Sequence, residues 1–343
     1  MIFPRKYLTK AQSTRKTRRE DEVWLCALYD LRASVKEYSN RLLAIVFFCL
    51  GLTLYAQAPV IRCAVMPENP RPGEFVTIGV NDGCGAITAA LLSGGIRLAK
   101  AVFFPVPAGG ENRAFMAAVL AVPSTAKPGG VVIVIEGAPG KITEMPLTIS
   151  AREFHSEVID LNAALSGLRT DPDPQKTAES EQLWEILNST GKETHHFGSF
   201  IPPVDSIRRT SQFGVRRIYR YANGKSDVSI HAGVDYGVPT GTPVSACAPG
   251  RVVLARRRIV TGNSVIIEHL PGVYSLYYHL NTIEAAEGSL VAAGNLLGYS
   301  GATGLATGPH LHWEIRVSGE NADPDAFIGR PIIDKNAILS KIQ

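Results

Sequence analysis

The sequence predicts a mostly β chain: an N-terminal immunoglobulin-like β-sandwich, a short helical linker, and a C-terminal antiparallel β-rich domain. Three observations carry this. The 343 residues include 32 glycines and 22 prolines with only 19% charged residues, a composition of many turns. Short runs of β-forming residues punctuated by turn formers occupy two long stretches. Helical periodicity is confined to one segment between them and one at the C-terminus.

The leader, 1–58, comes first. Ten of the chain's 35 Lys/Arg lie in residues 1–41, so the basic character belongs to this segment. The near-neutral remainder argues against a nucleic-acid partner. Leu42 to Tyr55 is an apolar run behind Arg41, followed by Ala56-Gln57-Ala58. A basic flank, an apolar core of this length and a small-x-small site predict a secretory signal peptide cleaved after Ala58. An uncleaved anchor is the alternative, and the only membrane attachment expected, although the run is short for a span of about 20 residues. Phe48 before Cys49 is too bulky for a lipid-attachment site. Export permits disulfides, and Cys63 with Cys84 form either a bridge or two thiols. Cys247, in "VSACAPG", reads as a buried packing residue.

Residues 59–150 hold the runs "EFVTIGV", "LAKAVFFPV", "AFMAAVLAV", "VVIVIEG" and "EMPLTIS", separated by "PENPRPG", "PAGGEN" and "STAKPGG". Short strands at this spacing predict the sandwich. It contains no histidine and is assigned no chemistry.

Residues 151–205 form the helical linker. "DPDPQKTAESEQLWEILNST" carries a cap near Asp171 to Asp173 and an apolar stripe of Leu183, Ile186 and Leu187. His195 and His196 follow in a Pro-terminated stretch and read as solvated loop residues. From 206 to 330 strands and glycine turns return, with five of the eight histidines. A helical tail, "DKNAILSKI", is expected within 331–343.

Two motifs carry candidate chemistry. In "GPHLHWEI", a strand would set His310 and His312 on one face with Leu311 and Trp313 on the other. Such a pair suits a metal site, a catalytic pair, or a plain polar face. In "HAGVDYG", His231 and Asp235 sit four apart, but Gly233 and Gly237 speak against a helix. A turn or irregular strand would bring them together as one imidazole and one carboxylate, both good zinc ligands. One histidine of the 310/312 pair would complete three ligands and leave a position open for water, as in catalytic zinc sites. A polar turn is the plainer reading of the motif alone.

From about Ser211 to Pro324 the chain resembles the lysostaphin-type zinc endopeptidases, which cut the peptides of bacterial peptidoglycan. The resemblance rests on "SQFGVRR", "HAGVDYG", "GTPVSACAPGRVV", "GNSVIIEH", "YSLYYHL" and "GYSGATGLATGPHLHWEI", in that order. It implies a zinc peptidase domain over 206–330. It implies one Zn2+ per chain held by His231, Asp235 and His312. His310 and His279 become catalytic residues beside the metal, with roles left undivided. All five are present. His269 matches no ligand position and reads as a hydrogen-bonded strand-end residue.

The implied activity is a secreted metalloendopeptidase acting on peptidoglycan peptide stems in the periplasm or cell envelope. A non-catalytic activator or wall-binding module on the same fold is the alternative, with missing ligands as its mark. The chain lacks the H-E-x-x-H pattern in which a glutamate is the base, so histidine must supply the base. Arg256 to Arg258 read either as a basic groove wall or as a solvated hairpin tip. Of Tyr277 and Tyr278, one should line the cleft and the other pack inwards. The sandwich would position the enzyme or inhibit it.

Overall fold

The runs "FVTIGV" and "AFMAAVLA" are apolar at nearly every position, which a strand needs only when both its faces are covered. A computed structural model of the chain shows them so covered. It describes residues 61–81, 85–107, 114–138 and 140–342. The predicted signal peptide and Cys84 lie outside these residues, and with Cys84 the question of a Cys63–Cys84 bridge.

Eight strands fill the first part: β1 (Cys63–Met66), β2 (Phe75–Asn81), β3 (Ala86–Ser93), β4 (Ile96–Val102), β5 (Phe104–Pro107), β6 (Ala114–Ala121), β7 (Gly129–Gly137) and β8 (Lys141–Ile149). They make two four-stranded sheets, ordered β1-β2-β6-β5 and β4-β3-β7-β8. Val76, Ile78 and Val80 of β2 and Ala118 and Leu120 of β6 pack on Ala89, Leu91, Ile133 and Ile135 of the other sheet. Phe75, Phe115, Ala117 and Val119, on the opposite face, join a second core with Trp313, Ile315 and Val317 of the C-terminal part. The first sheet is therefore sandwiched, while β8 alternates buried and exposed residues towards its end.

The segment 151–205 carries one strand and two helices. Strand β9 (Ser156–Asp160) precedes α1 (Ala163–Thr170) and α2 (Pro174–Asn188). The Asn162 side chain caps α1 by accepting from Leu165 N. Asp173 caps α2 by accepting from Gln175 N and Lys176 N, with Pro174 opening the helix. Leu187, with Leu183 and Ile186, packs on Leu254, Ile266, Tyr274 and Leu276.

The remaining strands are β10 (Arg209–Ser211), β11 (Arg216–Arg220), β12 (Ser226–Ile230), β13 (Gly233–Tyr236), β14 (Pro243–Ser245), β15 (Gly250–Arg258), β16 (Gly262–Leu270), β17 (Val273–Ile283), β18 (Leu290–Val291), β19 (Leu296–Ser300), β20 (Leu311–Val317) and β21 (Glu320–Ala322). The main sheet runs β10-β13-β20-β17-β16-β15-β18, all antiparallel. A small sheet, β12-β11-β9, stands apart, and β9 runs parallel to β11.

Helix α3 (Lys335–Ile342) closes the chain. Its Ile338 is fully buried against Gly79 of β2, where any Cβ would overlap it. From Ile61 onward the chain is one compact unit. Among the described residues no helix is long and apolar enough to cross a membrane.

Candidate metal centre

Side chains directly opposite one another on paired strands share a face. β13 and β20 are paired so that Asp235 faces His312, and β20 and β17 so that His312 faces Tyr278. This one row places a carboxylate and an imidazole side by side. On the other face of β20, Leu311, Trp313 and Ile315 are fully buried and hold the strand in register. Gly233 allows the close approach, because a Cβ there would overlap the Trp313 carbonyl. His231 lies just before β13, fixed by backbone hydrogen bonds between His231 N and Val215 O and between Gly214 N and His231 O.

The result is a triangle. His231 Nε2 lies 3.1 Å from Asp235 Oδ1 and 3.0 Å from His312 Nδ1, and His312 Nδ1 lies 2.7 Å from Asp235 Oδ1. Two ligands on a tetrahedral ion at about 2.1 Å are themselves about 3.4 Å apart, so a small contraction around zinc-type distances already exists.

The outer nitrogen of each ring is tied. His231 Nδ1 donates to Gln212 O at 2.7 Å, and His312 Nε2 donates to Glu314 Oε1 at 2.9 Å. The lone pairs of His231 Nε2 and His312 Nδ1 therefore face each other and a carboxylate oxygen. Three acceptors at this range need a cation between them. Among the described residues, this is the group of histidine, cysteine and acidic side chains able to hold a metal ion. The donor set, two imidazoles and one carboxylate with their outer nitrogens oriented, fits zinc.

The electrostatics agree. Burial works against the charge of Asp235, yet His312 and His231 hold its carboxyl well below the usual carboxylate range. Burial likewise disfavours protonated His312, but Asp235 and Glu314 raise it to about 9. The cluster attracts positive charge, whether a proton or a metal.

His310 and His279 stand beside this triangle. Their ring centroids are 4.8 Å apart, and His310 Nε2 is 3.9 Å from Asp235 Oδ1. Each donates its Nδ1 proton to a carbonyl, His310 to Gly308 O and His279 to Thr303 O, both at 2.8 Å. Each thus keeps a free Nε2 lone pair. Burial lowers the pKa of both, and pushes His279 to about 3 with help from His310. Both are neutral bases at neutral pH.

His279 reaches the site by breaking the strand pattern. Simple alternation would send Tyr277 and His279 to the same face. Instead the β16–β17 register slips, from Val265↔Tyr277 to Asn263↔Leu280, and His279 has φ 62°. A left-handed non-glycine residue at a bulge re-aims its side chain, at a cost that functional sites commonly carry.

Tyr277 packs inwards, fully buried, and Tyr278 lies parallel to the His312 ring with centroids 5.7 Å apart. A cavity of about 200 Å³ opens beside the cluster, bounded by His231, His279 and His312 and also by Arg169, Tyr219 and Leu305.

The five sequence-predicted site residues are therefore gathered in one place. The other histidines are elsewhere. His269 is fully buried, bonded to Pro249 O and Ser275 Oγ at 2.7 Å each. His195 and His196 are half-buried rather than solvated: His195 N donates to His269 O, and the His196 ring bonds Ser199 O. Cys247 is fully buried. The arginine triplet fits neither of its readings well. Arg256 pairs with Glu287, and Arg258, only 6% exposed, donates to Glu179 O of α2. None of the three lines the cavity.

Reasoning from sequence missed Glu314, Arg217, Ser211 and Glu157. Glu314 continues the His310–His312 face by the same period of two, so alternation along "HLHWE" points to it. Arg217 Nη2 donates to Asp235 Oδ2 at 2.5 Å, and no spacing in the sequence signals that contact.

Residues 229–324 match the model of peptidase family M23. This chain carries a peptidase family M23 domain. A DD-carboxypeptidase/endopeptidase of Neisseria meningitidis serogroup B is 41% identical over 135 residues, 39% of this chain and 30% of the relative. A peptidoglycan DD-endopeptidase of Vibrio cholerae is 41% identical over 118 residues, 34% of this chain and 27% of the relative. The chain thus spans about three-tenths of the length of these curated relatives. A crystal structure of a Pseudomonas aeruginosa protein assigned to peptidase M23 superposes with a TM-score of 0.51 at 25% identity, covering 76% of this chain and 95% of that one. That coverage takes the likeness well beyond the 96 residues of the M23 domain.

Proposed function

We propose that the protein is an exported zinc metalloendopeptidase that hydrolyses peptide cross-links of peptidoglycan. The observation that carries the reading is the triangle of His231, Asp235 and His312 with two neutral, unprotonated Nε2 atoms beside it. The wall substrate is supported by the names of the relatives, one a peptidoglycan DD-endopeptidase and the other a DD-carboxypeptidase/endopeptidase. Export to the periplasm or cell envelope is supported by the pattern of the leader and by the location of such a substrate.

His231 Nε2, Asp235 Oδ1 and His312 Nδ1 would hold the zinc. When bound, the ion supplies an acidified water and polarises the scissile carbonyl. His279 and His310 supply the proton work. One Nε2 accepts the proton of the attacking water, and the imidazolium so formed steadies the developing oxyanion and returns that proton to the departing amine; the second unprotonated Nε2 is the alternative acceptor. Their Nδ1–carbonyl bonds fix the tautomer that this task needs. Tyr278 keeps the His312 ring in plane, and Glu314 keeps its Nδ1 towards the metal.

For the N-terminal part, an immunoglobulin-like sandwich that positions the peptidase is the proposal. The two-sheet order β1-β2-β6-β5 and β4-β3-β7-β8 supports it. The deciding experiment incubates the protein with purified sacculi and reads released fragments by mass spectrometry. Chelator-sensitive peptide release, restored by zinc, is expected. Intact sacculi under both conditions would move the protein to the non-catalytic activator class.

A further inference from the structure

Strand β9 lies 69 to 73 residues before the start of the M23 match, yet it reaches the metal centre. It pairs in parallel with β11 so that Glu157 stands beside Arg217. On this row both side chains point to the same face. Glu157 Oε1 accepts from Arg217 Nε at 2.6 Å and from Ser211 Oγ at 3.0 Å. Each of those partners continues to a different candidate ligand. Arg217 Nη2 donates to Asp235 Oδ2 at 2.5 Å, and Ser211 Oγ lies 3.2 Å from His231 Nδ1. One carboxylate therefore stands behind two of the three ligands by separate routes.

The physical consequence concerns charge. Arg217 is largely buried, with 13% of its side chain exposed, and it touches a carboxylate that must bind a dication. Alone, its guanidinium would draw charge from Asp235 and repel the metal. Glu157 shares that guanidinium, leaves Asp235 more of its negative charge, and fixes the Ser211 hydroxyl beside the His231 ring. We propose that Glu157 is a positioning residue that tunes metal affinity through Arg217 and Ser211, so that the segment before the M23 domain completes the metal centre. This rests on the function proposed above.

The test uses the full chain as wild type, E157Q, E157A and D160N. Asp160 occupies the opposite, exposed face of β9, 3.8 Å from Arg220, and serves as the control. Zinc affinity is measured by competition with a chromophoric chelator, together with the cobalt(II) absorption spectrum and the melting temperature of each metal-free protein. Outer partners of metal ligands commonly govern about 10- to 100-fold in affinity. E157A should lose that much, E157Q should lose less in the same direction with an altered cobalt spectrum, and D160N should match wild type. E157Q and E157A that keep wild-type zinc affinity and the wild-type cobalt spectrum would overturn the proposal, even if they melt earlier. E157Q is isosteric and guards against a folding defect in E157A. A wild type that binds zinc but leaves sacculi intact would contradict the proposed function, and the affinity comparison would still decide the role of Glu157.

Discussion

Replacing His279 by asparagine isolates the proton chemistry from the metal. Asparagine tolerates the left-handed backbone that φ 62° imposes, so the local conformation at residue 279 is kept. The amide carries no base, and its shorter side chain withdraws from the position of Nε2. General acid–base catalysis is worth about 10²–10⁴-fold, so the barrier should rise by roughly 3–5 kcal/mol. His279 takes no part in the triangle of His231, Asp235 and His312, so zinc should stay near one ion per chain. His310→Ala should behave alike, since its Nε2 stands 3.9 Å from Asp235 Oδ1, outside the triangle. The assay is the initial rate of peptide release from sacculi at matched metal content, with melting curves to confirm folding. Loss of zinc together with activity in either variant would refute the ligand set. Near wild-type rates in both variants would refute the assignment of the base.

Three further outcomes follow from the packing and charge around other residues. Glu314→Gln keeps an oxygen for the His312 Nε2–H but loses the charge, and zinc affinity in chelator competition should fall by about 10-fold or more. Ile338→Ala empties the seat over Gly79 and should destabilise the protein by about 2–5 kcal/mol in denaturant unfolding, with α3 loosened from β1 and β2. Burial pushes His269 down to about 3, so the folded protein keeps it neutral while the unfolded chain takes up a proton below about 6.5. Stability from this residue is therefore present above pH 6.5 and lost as pH falls towards 3. His269→Gln should flatten that acid slope by about 1.4 kcal/mol per pH unit in unfolding titrations.

The candidate centre was legible through the family resemblance, whose motifs hold all five residues, whereas each motif alone left a plain polar reading open. His310 and His312 follow a period of two, and β20 is buried behind them by Leu311 and Trp313. The two-faced burial of β2 and β6 matches their nearly unbroken apolar runs. What escaped depends on partners far along the chain. "SEVID" is short and half polar, and it becomes β9 only through parallel pairing with β11, 60 residues on. "AALSGLRT" contains Gly167 and spans only 8 residues, so α1 has little local preference and depends on its Asn162 cap and its packing. The kink at His279 has no local mark, since "YYHL" reads as plain strand. Arg258 looked like part of an exposed triplet, and only the placement of α2 buries it.

The ligand set itself is tested most directly by anomalous diffraction at the zinc edge from crystals of the zinc-loaded protein. A single peak is predicted within about 2.0–2.2 Å of His231 Nε2, Asp235 Oδ1 and His312 Nδ1, with the Nε2 atoms of His279 and His310 beyond bonding distance. A peak coordinated by His279 or His310, or no peak within the triangle, would contradict it.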